Sequence, residues 1–176
     1  MRRTGRRLII VSLAGLMGAV VAPLRAEATH LRCFSYLVPH NAEHLGTNNN
    51  DTLNGTAADD VMHALGGNLD YLYPVGGNDR ACGGDGYDVI DGGSGHDRLS
   101  GGGTDDTIQG SGGNDTIQGG GANDDLFGED GADQVHDGFG ADWLSGGAGT
   151  DTLYVCDNDA PERYINGFEN VYLVTC

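Results

Sequence analysis

The chain has 176 residues, of which 32 are Gly and none is Lys, and its 26 acids against nine Arg give a formal net charge of −17. That sign disfavours nucleic acid and anionic membrane as partners, because both repel it. Composition alone describes a solvated, disordered tract, so order must come from patterning.

Residues 1–28 read as a cleaved export signal. Arg2, Arg3, Arg6 and Arg7 precede an apolar run from Leu8 to Val21, too short for a comfortable membrane span, so no membrane insertion is expected. Ala26-Glu27-Ala28 is a small-x-small cleavage site, so the expected mature chain starts at Thr29 and is secreted to the extracellular space. Arg6-Arg7-Leu8-Ile9-Ile10 also fits a twin-arginine signal, and the two export routes stay open. Cleavage would leave four Arg against 25 acids, a net charge of −21. Divalent cations are the natural counter-ions of such a chain.

Residues 29–45 precede the periodic region and are expected to form an N-terminal segment or cap. From 46 to 154 an Asp returns at a nearly fixed interval: Asp51, Asp60, Asp70, Asp79, Asp88, Asp97, Asp106, Asp115, Asp124, Asp133, Asp142 and Asp151. Ten of the eleven steps are nine residues long, and the step from Asp60 to Asp70 is ten. A short fixed period marks small units stacked along an axis.

The clearest units are Gly83–Asp91, Gly92–Ser100 and Gly146–Tyr154. Each has a glycine-rich half, an Asp at its sixth position and an apolar residue at its eighth. All twelve eighth positions are apolar: Leu53, Met62, Leu72, Ala81, Ile90, Leu99, Ile108, Ile117, Leu126, Val135, Leu144 and Leu153. Polar residues flank them, as in Thr107-Ile108-Gln109, which is the alternation of a very short strand with one face buried. Disorder has no use for apolar residues held in register. Glycine adopts positive φ at little steric cost and can bring carbonyl oxygens together beside the carboxylates. Oxygen-only, partly anionic donors suit a hard divalent cation, and Ca²⁺ tolerates irregular geometry better than Mg²⁺.

These units resemble the repeats-in-toxin (RTX) calcium-binding nonapeptide, G-G-x-G-x-D-x-U-x, with U a large apolar residue. The resemblance covers roughly residues 46–154 and implies an all-β, right-handed parallel β-roll of about six coils of 18 residues. It implies several Ca²⁺ ions held between successive coils. One edge would carry Asp70, Asp88, Asp106, Asp124 and Asp142, and the other Asp79, Asp97, Asp115, Asp133 and Asp151. Backbone carbonyls of Gly83, Gly84, Gly86, Gly92, Gly93, Gly95, Gly101, Gly102, Gly110, Gly112, Gly119, Gly120, Gly146, Gly147 and Gly149 would complete the sites. The units of Asp51 and Asp60 lose most of their glycines, and weak sites or a cap are expected there. The extra residue before Asp70 is expected to bulge. Thr104, Ala122 and Glu129 replace glycines in later units, so uneven occupancy is expected.

Residues 155–176 are expected to cap the open end of the stack, with Phe168, Val171 and Leu173 as its contacts. Cys33, Cys82, Cys156 and Cys176 form an even set in an exported chain, which suggests two disulfides with three connectivities open. Cys33–Cys82 and Cys156–Cys176 would tie the two ends to the roll. The six His are scattered, and His63, His96 and His136 are expected to face solvent.

Phosphate-loop, serine-elbow and H-E-x-x-H patterns are absent, and about 40 mature residues outside the repeats are too few for a catalytic domain. The expectation is a non-catalytic, monomeric, secreted calcium-binding protein that folds on binding Ca²⁺. The alternative is a calcium-dependent adhesion or matrix protein that presents Trp143 or Tyr73 to an extracellular polysaccharide or cell surface. An accessory module of a secreted hydrolase is a remote third.

Overall fold

A computed structural model describes residues 43–156, 162 and 164–175. The expected export signal, residues 29–42, Cys33 and Cys176 lie outside the described residues.

Thirteen strands run along the described chain, with no helix among the described residues: β1 Glu43–Leu45, β2 Thr52–Asn54, β3 Val61–Tyr73, β4 Arg80–Asp91, β5 Arg98–Gly102, β6 Thr107–Gly112, β7 Thr116–Gly121, β8 Asp125–Gly131, β9 Gln134–Phe139, β10 Trp143–Gly149, β11 Thr152–Cys156, β12 Tyr164–Asn166 and β13 Asn170–Val174. Every pairing is parallel. Consecutive strands pair only at the start, where the long β3 and β4 span a corner; from β5 on they do not. Each pairs with the next but one, as Thr107 with Asp125 and Arg98 with Thr116, one coil of 18 residues on. The strands therefore form two parallel faces of a β-solenoid of about seven turns, a β-roll. β3 and β4 are long because each turns a corner and contributes to both faces.

The apolar eighth positions explain why the faces close on each other. From Met62 to Leu153, all eleven are buried and join one column, with Leu53 packed on it partly buried. Each strand offers that column one side chain, and the seventh and ninth residues point away. Such a core is one residue wide.

The extra residue before Asp70 does bulge. β3 and β4 pair with an offset of 19 residues at Val61 and Arg80 and of 18 at Leu69 and Tyr87, and the register shifts between Gly66 and Leu69.

The ends differ from the middle. β1 already forms a rung on β3, so the stack begins inside the segment assigned to the N-terminal cap. At the other end Phe168 packs on the core, but Val171 is 52% exposed and Leu173 75% exposed. Val171 is in register with Leu153 and, among the described residues, has no further rung above it. Leu173 does not make the cap contact expected of it.

His136 is half-buried rather than solvent-facing, because its ring stacks on Tyr154 at 4.4 Å and Tyr154 stacks on Tyr172 at 5.6 Å. Burial lowers its pKa. Cys82 and Cys156 are buried and neither is a free thiol. Four rungs part Cys82 from the Tyr154 rung of β11, about 19 Å at the parallel-strand spacing, so the two cannot be bonded to each other.

Candidate metal centre

Each sixth-position Asp stands at a corner, just before its strand or, for Asp70 and Asp88, at the bend within β3 and β4, so these residues fall at the two edges where the chain crosses between faces. Along one edge the Asp70 amide donates to Asp88 Oδ1, Asp88 to Asp106, Asp106 to Asp124 and Asp124 to Asp142, at 2.7–3.1 Å. Along the other, Asp79 donates to Asp97, Asp97 to Asp115, Asp115 to Asp133 and Asp133 to Asp151, at 2.7–2.8 Å. These are the two edge sets the repeat pattern predicted. All ten side chains are buried.

Each ladder uses one carboxylate oxygen per Asp. The second, Oδ2, is buried and accepts no hydrogen bond in Asp70, Asp79, Asp88, Asp97, Asp106, Asp115, Asp133 and Asp151. An ionised carboxylate cannot stay in that state cheaply: it must take up a proton or bind a cation. In the folded, metal-free ladder the balance shifts toward the proton. Burial, opposed by the ladder hydrogen bond, pushes the Asp106 and Asp124 carboxyls up to about 8. Asp79 and Asp115 rise to about 7 and Asp97 to about 6 for the same reason. Asp88 rises to about 7 through burial and then the charge of Asp70. Asp70, Asp133 and Asp151 are raised as well, burial first.

The glycines pack around these oxygens. First-position Gly83, Gly92, Gly101, Gly110, Gly119 and Gly146 lie so close to Oδ2 of their own unit's Asp that a side chain would collide with it. Second-position Gly84, Gly93, Gly102, Gly120 and Gly147, and fourth-position Gly86, Gly95 and Gly149, hold positive φ and sit on a carbonyl oxygen of the preceding coil. Gly95 shows the constraint most sharply: a Cβ there would overlap the Gly77 carbonyl oxygen. Third-position Gly112 donates to the Gly93 carbonyl at 2.8 Å and accepts from Gly95 at 2.7 Å, so the Gly93 and Gly112 oxygens each hold one main-chain hydrogen bond already. The result is two edges of stacked carbonyls beside buried carboxylates. Every donor is a hard oxygen and the set is anionic, which fits Ca²⁺ and not a soft transition metal.

The first two units are built differently. Asp51 Oδ2 accepts the Thr47 amide at 2.6 Å and its hydroxyl at 2.9 Å. Asp60 Oδ2 accepts the Thr56 amide and hydroxyl at 2.6 and 3.0 Å. A Thr at the second position thus satisfies the oxygen that the later units leave open. Their amides still start the ladders, Asp51 on Asp70 and Asp60 on Asp79.

Glycine is absent from some positive-φ corners. Leu65, Val75, Ser111, Ala122 and Glu129 adopt it regardless, while Thr104 does not. Neighbouring coils impose the corner where the local residue resists it.

Sequence reasoning missed three acids. Glu162 and Glu169 accept the amides of Asp142 and Asp151 at 2.6 and 2.7 Å and so end the ladders. Glu169 lies 18 residues after Asp151, so its spacing was a usable signal. Asp137 stands where other units start with Gly. It accepts the Gly138 and Cys156 amides and brings an oxygen within 4.8 Å of oxygens on Asp142 and Glu162.

A family model described as the RTX calcium-binding nonapeptide repeat matches four times, at residues 45–81, 73–108, 100–135 and 127–155. No match was found among curated proteins, and none among solved structures. Four overlapping matches span every ladder Asp from Asp51 to Asp151, and the chain belongs to the RTX calcium-binding nonapeptide repeat family.

Proposed function

We propose that this is a secreted, non-catalytic calcium-binding protein whose roll assembles as Ca²⁺ enters the two edges. One observation carries the reading: the row of Oδ2 atoms, buried and without donors, at successive coils. The ten Asp from Asp70 to Asp151 supply the charge, and the glycine carbonyls beside them supply neutral oxygens. Bound Ca²⁺ would replace the protons these carboxyls otherwise keep. Without it, near neutral pH, burying these carboxyls requires proton uptake, which a core one residue wide does not offset, so binding and folding are one event. Extracellular modules of this kind bind at about 10⁻⁴–10⁻³ M.

The signal-like first 28 residues support export. Disulfides Cys33–Cys82 and Cys156–Cys176 suit an oxidising compartment and agree with the separation of Cys82 from Cys156. Titration calorimetry with Ca²⁺, paired with circular dichroism in EDTA and in calcium, tests the reading. Several ions bound with a gain of β signal is the expected result, and a chain that takes up no calcium ends it.

A second reading, a calcium-dependent adhesion or matrix protein, has its own observation. Tyr87, Phe139 and Trp143 are each about half exposed, and each offers a ring on which a polysaccharide could stack. Calcium-dependent retention on polysaccharide, lost in Trp143→Ala, separates it from a plain calcium binder.

A further inference from the structure

The family match ends at residue 155, yet the solenoid does not. β12 pairs with β10, placing Ile165 beside Leu144 and Asn166 beside Ser145. β13 pairs with β11, placing Asn170 beside Thr152 and Val171 beside Leu153. Ile165 and Val171 thus occupy the two eighth positions of one more coil.

Between Ser145 and Thr152 an ordinary unit inserts six residues, whereas between Asn166 and Asn170 there are three, Gly167-Phe168-Glu169. Gly167 takes the first-position role. Its carbonyl fills the space beside Gly146, as the Gly128 carbonyl does beside Gly110 and the Gly110 carbonyl beside Gly92. Glu169 takes the sixth-position role. Its Oε2 accepts the Asp151 amide at 2.7 Å, the bond that every ladder Asp makes to the Asp one coil before it. The turn has lost three residues, and a side chain one methylene longer than Asp reaches back across the gap.

This rung faces an unfilled acceptor. Asp151 is fully buried and its Oδ2 has no donor, beside the Gly146 corner that the Gly167 carbonyl also enters. The Glu169 charge is close enough to help raise the Asp151 carboxyl, after burial.

We propose that residues 167–172 are a shortened repeat unit that the nonapeptide pattern does not describe, and that Glu169 is a calcium ligand closing the last site on the Asp151 edge. The proposal rests on the calcium-binding reading above. It adds a metal site beyond the matched repeats and gives the tail a direct part in metal-coupled folding.

The test is calorimetric Ca²⁺ stoichiometry of the purified protein and of Glu169→Gln, with circular dichroism at saturating calcium. Gln keeps an oxygen for the Asp151 amide and removes the charge alone. One ion fewer in E169Q than in the parent, with the β signal retained, supports the proposal. An E169Q chain that stays unfolded in saturating calcium supports it too, because the hydrogen bond is preserved and only the charge is missing. Unchanged stoichiometry and affinity in E169Q overturn it and leave Glu169 as a hydrogen-bond cap. A parent protein that binds no calcium would instead remove the reading on which the proposal rests.

Discussion

Asp97 Oδ1 accepts the amide of Asp79, 18 residues earlier, at 2.7 Å, while Asp97 Oδ2 stays buried with no donor. One oxygen builds the solenoid and the other has no partner, which on the proposed reading a cation would supply. That division of labour repeats along both edges and generates the expectations below.

Removing one ladder charge should cost calcium before it costs fold. Asp115→Asn keeps an oxygen for the Asp97 amide, the bond seen at 2.8 Å, and removes one anionic ligand from the centre of its edge. The calcium concentration at half-folding should rise roughly tenfold or more, since affinity follows ligand charge. Circular dichroism across a calcium titration measures it, and an unmoved midpoint excludes Asp115 as a ligand.

The metal-free chain should gain order in acid. Native carboxyls from about 6 to about 8 stand above the ordinary 3.8 expected of the unfolded chain. Between roughly pH 4 and pH 8 the native state therefore holds more protons than the unfolded one, and stability falls as pH rises through that window. In chelator, β signal should increase on going from pH 8 to pH 5. In saturating calcium the apparent affinity should fall over the same acidification, because protons compete for Oδ2. A metal-free chain less ordered at pH 5 than at pH 8 would contradict both expectations.

Corner glycines should be unequal. Gly113 has φ 135 and no room, since a Cβ would run into the Gly95 carbonyl oxygen, whereas Gly103 has no heavy atom within 4 Å of that point. Gly113→Ala should destabilise by about 1–3 kcal/mol or more through strain and overlap, and Gly103→Ala by a few tenths at most. Thermal unfolding in saturating calcium compares them, and equal losses would show that the corners are not packed as described.

The core column should behave like a packed interior despite its width. Ile108 is fully buried among neighbouring eighth positions, so Ile108→Ala should cost about 2–5 kcal/mol. Denaturant unfolding in calcium measures it, and a loss under 1 kcal/mol would point to a loosely packed axis.

Most of this fold is written in one number. Twelve apolar eighth positions in step with twelve Asp were enough to place the core, both ladders and the bulge before Asp70, because a solenoid repeats its physics as literally as its spelling. What was not legible departs from that spelling. Thr47 and Thr56 looked like lost glycines, yet they satisfy the carboxylate oxygens of Asp51 and Asp60, a role visible only once the turn is folded. Glu129 and Val75 hold positive φ because adjacent coils enforce it, which local propensity cannot reveal. Glu169 kept the spacing but not the residue type, and Gly167 kept the type but not the spacing. Leu173 was assigned to the cap by alternation, but it lies on the last rung of the described residues and is mostly exposed.

The most direct test of the central claim is small-angle scattering from the processed protein at pH 7.5, first in chelator and then in millimolar calcium. Metal-filled ladders holding the coils together predict an expanded chain that contracts to a short rod when calcium is added. Identical compact profiles under both conditions would contradict that claim, because the coils would then be stacking without the ion.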